Sequence, residues 1–161
     1  MKRHPSAVKT GTMTMAGKAL VDTNVLLRSL IDQFPESEVC RTLVMEQRKA
    51  ETELWVSRQI IRELLVQLTH PHTLKTPLTR KQILAQMDMV LTLFRVADET
   101  SATTNMLLTL LRDYSVSGKQ IHDANIVAAM LANSIDTLLT LNTADFKRYE
   151  DRITLLTIGD D

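Results

Sequence analysis

Short apolar stretches alternate with amphipathic helical segments along almost the whole of this 161-residue chain, which leaves few folds open. The stretches are 18–21, 53–56, 95–97, 137–141 and 153–157. Between them, apolar residues recur at helical spacing: Val25, Leu26, Leu30 and Ile31, then Val39, Cys40, Leu43 and Val44. The pattern resumes with Ile60, Ile61, Leu64, Leu65 and Leu68 behind a capping Ser57, and with Ile83, Met87, Val90, Leu91 and Phe94 behind Thr79. Met106, Leu107, Leu110 and Leu111 mark a helix over 101–114, and Ile126, Val127, Met130 and Leu131 one over 123–133. Short buried strands joined through helices predict an α/β fold: a central parallel sheet of about five strands with helices on both faces.

The length suits one core. With 4 Gly and 4 Pro the chain has no low-complexity linker, and the prolines around 70–77 bound a loop. One cysteine, Cys40, forbids an internal disulfide and reads as a small buried hydrophobe, so a reducing cytoplasm is the expected setting. No apolar run reaches the ~18 residues of a membrane span. Residues 1–15 are basic and polar and are expected to be a disordered extension, with the folded domain over 16–158.

The formal net charge is +0, but the charge is unevenly spread. Residues 1–18 hold four basic groups and no acid, while 150–161 hold four acids and one Arg, leaving 14 basic and 15 acidic residues between. Four of those acids occupy telling places. In open α/β folds, ligands gather beyond the carboxyl ends of the strands. Asp22 directly follows the first strand and Asp145 lies just past the fourth. Glu63 falls in the helix after the second strand, and Asp123 opens the helix before the fourth. Two carboxylates ~5 Å apart repel by roughly 3 kcal/mol at an effective dielectric near ~20. An oxygen-preferring cation such as Mg²⁺ or Mn²⁺ relieves that repulsion, and such a site acts on phosphate esters. With these four acids committed, 11 remain against 14 basic residues, a mildly basic surface that permits a nucleic-acid substrate.

Each acid also has an ordinary explanation. Asp22, Asp123 and Asp145 could cap helices or turns, and Glu63, at the margin of its helix's apolar stripe, could pair with Arg58 or Arg62. Thr23, Asn24, Thr140 and Asn142 stand beside the acids and could orient a metal and its water. Arg28, Lys119, Lys147 and Arg148 could contact phosphate, although each also suits a plain surface charge. Phosphate-binding glycine loops, a Gly-x-Ser-x-Gly elbow and a His-Glu-x-x-His helix are absent from the sequence.

Together the four segments resemble the PIN domain, and most closely its VapC-type toxin ribonucleases. Val21-Asp22-Thr23-Asn24-Val25-Leu26 is similar to the family's opening motif, and Ile61-Arg62-Glu63-Leu64 stands where its second acid does. The segment from Gly118 to Ala129 resembles that of the third acid, and Leu139 to Phe146 the closing motif. The resemblance runs from about Ala19 to about Thr157 and departs from the family's pattern in the 1–15 head and the proline-bounded loop. It implies a three-layer Rossmann-like fold and Mg²⁺- or Mn²⁺-dependent RNA cleavage by Asp22, Glu63, Asp123 and Asp145. It also implies a homodimer and a cognate antitoxin that blocks the site. A non-cleaving binding module on the same fold is the alternative. An aspartate-nucleophile phosphatase is a weaker one, because that chemistry needs a second Asp at position 24, which is Asn.

Overall fold

Three consecutive residues with no exposed surface, Ala19, Leu20 and Val21, establish how the molecule is layered. Successive strand residues point to opposite faces, so a strand buried at every position has both faces covered. In the computed structural model, which describes residues 16–159, these residues lie in β1 (Lys18–Val21). The chain continues through α1 (Thr23–Leu30), α2 (Ser37–Lys49), β2 (Glu53–Ser57), α3 (Arg58–Thr69), α4 (Arg80–Leu93) and β3 (Arg95–Ala97). It closes with α5 (Ser101–Asp113), α6 (Gln120–Ala132), β4 (Thr137–Leu139), α7 (Thr143–Phe146) and β5 (Thr154–Leu156). The expectation of a disordered basic head over 1–15 lies outside the described residues.

All four strand pairings are parallel, in the order β3-β2-β1-β4-β5. The predicted α/β fold with a five-stranded parallel sheet is therefore the observed one. With this strand order, the right-handed rule for parallel crossovers assigns α1–α4 to one face and α5–α7 to the other. Central β1 and β4 are apolar and buried, whereas edge strands β3 and β5 are partly exposed. Cys40 is fully buried, as its apolar neighbours suggested.

Caps set the helix starts. The Ser57 hydroxyl accepts from Ile60 N, and Thr79 and Gln82 form a reciprocal capping box on α4. Elsewhere the boundaries differ from the sequence expectations. The strand predicted over 137–141 ends at Leu139, because Leu141 N donates to the Asn24 side chain rather than to a neighbouring strand. Helix α6 begins at Gln120, three residues before the predicted start at Asp123. Gly118, at φ +55°, turns the chain there, and Gln120 closes the turn by accepting from Ser117 N and donating back to Ser117 O. Asp123 thus sits inside the first turn and is no cap.

Leu20 lies on the strand that the rest of the sheet flanks, with no exposed surface. Leu20→Ala should lower the unfolding free energy by about 2–5 kcal/mol, read as a reduced urea midpoint with unchanged slope.

Candidate functional site

The strand order reverses direction at β1, which pairs with β2 on one side and β4 on the other. The carboxyl ends of β1 and β4 therefore form a switch point, where the departing chains diverge and leave a crevice. Asp22 stands there, 6% exposed, its backbone N donating to Leu139 O at 2.9 Å. Its Oδ1 accepts from Thr23 N at 2.7 Å. Its Oδ2 accepts from the Thr140 hydroxyl at 2.7 Å and from Asn24 Nδ2 at 3.2 Å. Asn24 Oδ1 in turn accepts from Leu141 N, and Thr140 Oγ1 from Asn142 N. The residues flanking the acids thus stitch the two strand exits together around Asp22.

From Asp22 the network passes to α3. Thr23 Oγ1 donates to Glu63 Oε2 at 2.8 Å, and Gln59 Nε2 donates to Glu63 Oε1 at 2.8 Å. Glu63 does not pair with its helical neighbours: Arg58 pairs with Asp98 and Arg62 with Glu99. The ordinary explanation of Glu63 thereby falls away. Sequence reasoning passed over Gln59 and Asn125, although both belong to this network, with Asn125 Nδ2 donating to Gln59 Oε1. Gln59 lies one helical turn before Glu63, and that spacing was the available signal.

Asp22, Glu63 and Asp123 line one open cavity of about 670 Å³, together with Asn24, Arg28, Gln59 and Asn142. Asp145, exposed on α7, does not line it, yet its charge is the strongest like charge acting on Asp123. The four acids therefore form three cavity carboxylates and a fourth at the rim. Arg28 lines the cavity but is bound to Glu36 and to Asn24 O. Arg148 donates to Ser115 O and Gln120 Oε1, while Lys119 and Lys147 stand exposed outside the cavity lining.

Burial, then Asp145, then Glu63, push the Asp123 carboxyl above its ordinary value, against opposing pulls from His122 and Arg148. Among the described residues, no Lys or Arg forms an ion pair with any of the four acids. Also among the described residues, no three acidic, His or Cys side chains are gathered tightly enough to hold an ion by themselves. An all-oxygen, anionic donor set of this looser kind fits Mg²⁺ or Mn²⁺. Mg²⁺ in particular keeps several waters and needs only one or two direct carboxylates.

A family model described as PIN domain matches residues 19–152. No curated protein matches the chain. Among solved structures, the chain is similar to VapBC2 from Rickettsia felis bound to a promoter DNA fragment. The identity is 17% and the TM-score 0.61, over 87% of this chain and 98% of that one. It is also similar to VapC20 from Mycobacterium tuberculosis, described as a sarcin–ricin loop cleaving toxin, at 16% identity and TM-score 0.57, over 74% and 86% of the two chains. A toxin–antitoxin complex from Klebsiella pneumoniae follows at 21% identity and TM-score 0.56, covering 80% and 89%. At such identities these likenesses establish the fold alone.

Burial pushes the Asp22 carboxyl up from 3.8 to about 6, with smaller upward pushes from Glu63 and Asp123; hydrogen bonds from Thr140 and Thr23 oppose the rise. The folded protein therefore holds this proton more tightly than the unfolded chain does. The stability so gained is fully present below pH 3.8 and is lost as pH rises through about 6. In ion-free protein the loss from this group amounts to about 3 kcal/mol by neutral pH. Urea unfolding in EDTA should show that decline, and Asp22→Asn should flatten it. Parallel pH profiles for the two proteins would contradict the assignment.

Proposed function

The chain belongs to the PIN domain family, and on that premise we propose that it is a divalent-metal-dependent endoribonuclease, the toxin of a toxin–antitoxin pair. The observation that carries this reading is the convergence of acids at the switch point of the sheet, where among the described residues no Lys or Arg forms an ion pair with them. A structural cluster would be expected to carry Lys or Arg partners, whereas a site that recruits a cation and a phosphodiester keeps its carboxylates free. The likeness to toxin–antitoxin structures supports the biological setting.

In this reading residues 16–158 form the nuclease domain, and Asp22, Glu63, Asp123 and Asp145 hold Mg²⁺ or Mn²⁺. The ion, when bound, acidifies a water and neutralises the phosphoryl oxygens of an in-line hydrolysis. Asp22 is the most heavily tethered of the acids, accepting three hydrogen bonds against two for Glu63. Thr23 fixes the near oxygen of Glu63. Asn24 and Thr140 hold Asp22 in place, and Asn142 closes the rim beside them. Asp145 approaches from α7 and completes the anionic surround of Asp123. Arg28 inside the cavity, and Arg148, Lys119 and Lys147 around α6 and α7, supply positive charge for the flanking RNA phosphates.

The partners proposed are an RNA substrate, an antitoxin protein that covers the cavity, and a second copy of the chain. Light scattering should then give twice the 18.2 kDa chain mass. For the activity, purified protein should cleave a mixed RNA pool with Mg²⁺ or Mn²⁺ and stop in EDTA. Asp123→Asn should slow cleavage at least about 100-fold, since changes merely beside a metal ligand already cost about 10–100-fold. Cleavage undiminished in Asp123→Asn or in EDTA would overturn the proposal.

A further inference from the structure

Gln59 is 6% exposed, and its side-chain amide is engaged through both its nitrogen and its oxygen. Nε2 donates to Glu63 Oε1 at 2.8 Å and to His122 O at 3.0 Å, and Oε1 accepts from Asn125 Nδ2 at 2.8 Å. An amide has two N–H donors and one carbonyl acceptor, so both donors are engaged and the acceptor is occupied. Turning it over would set its oxygen against a carboxylate and a carbonyl, and its NH₂ against the NH₂ of Asn125. Only one orientation is compatible with its surroundings.

The partners on α6 are placed to either side of one acid. His122 precedes Asp123, and Asn125 follows it by two residues. Gln59 thus grips α6 across the segment that carries Asp123, and with the same nitrogen holds one oxygen of Glu63. The other oxygen of Glu63 is held by Thr23, next to Asp22. We infer that Gln59 is a positioning residue: through this three-way hydrogen-bonded amide it sets the separation of the Glu63 and Asp123 carboxylates across the cavity, and so tunes cation binding. The inference rests on the metal-site reading above. A purely structural Gln59, one that only joins α3 to α6, would affect stability but not affinity for the ion.

Mn²⁺ alone is the probe, added to the full chain and followed by titration calorimetry and by electron paramagnetic resonance of the bound ion. Gln59→Met keeps the length of the side chain and removes its polar atoms. It should weaken Mn²⁺ binding by about 10–100-fold and alter the resonance line shape. Asn125→Ala frees the amide from one of its tethers and should weaken binding less. Combined with Gln59→Met it should add nothing, because the two act as one unit. If Gln59→Met does not fold, Asn125→Ala carries the test by the same two readouts. Parental affinity and line shape in a folded Gln59→Met, or in Asn125→Ala where that variant carries the test, would overturn the inference while leaving the metal site standing. A parent that does not bind Mn²⁺ would overturn both.

Discussion

A carboxylate buried at the end of a central strand is the interaction from which the rest of this site extends. Asp22 is almost out of solvent, beside other acids, and is met by hydrogen-bond donors from two strand exits. Hydrogen bonds to a charged acceptor are worth about 1.5–3 kcal/mol each. Even so, the carboxyl is pushed upward, so desolvation and like charge outweigh the donors. The fold therefore holds a group that is costly to ionise at the switch point of the sheet, the kind of perturbation that functional sites share with structural charge clusters.

That strain is tolerable because the layers beneath are well packed. Strands β1 and β4 are covered on both faces, and the residues below Asp22 have no exposed surface. Each acid is carried by a different element, so the elements must be held in register. One hydrogen-bonded chain does so, running from Thr140 through Asp22, Thr23, Glu63 and Gln59 to His122 and Asn125. It crosses from the end of β4 to α1, α3 and α6. The two arginines that line the cavity are bound to other acids, Arg28 to Glu36 and Arg62 to Glu99, which leaves the cavity carboxylates without a direct ion pair to either.

Much of this was legible in the chain itself. Alternating apolar strands and amphipathic helices determined the layered parallel sheet, because burial on both faces demands apolar residues at successive strand positions. Asp22 was legible because a strand end followed by Thr and Asn is a short-range pattern. Glu63 was ambiguous, since a helical wheel does not tell whether an acid at the margin of a stripe meets solvent, an arginine or a cleft. Tertiary structure decided it by sending Arg58 and Arg62 to Asp98 and Glu99. The start of α6 was misplaced because the Asp123 segment reads as a cap locally, while the turn at Gly118 begins the helix earlier.

The sequence by itself thus determined the element types, the parallel sheet and the positions of the four acids relative to strands and helices, all of which follow from spacing along the chain. Only the tertiary structure decided that Asp22, Glu63 and Asp123 share a cavity while Asp145 stands at its rim, and that Gln59 joins two of the helices that carry them. The physical reason is distance along the chain. The contacts from Asp22 to Thr140 and from Gln59 to Asn125 join residues 118 and 66 positions apart, and no periodicity encodes which way two remote side chains will point when their elements pack.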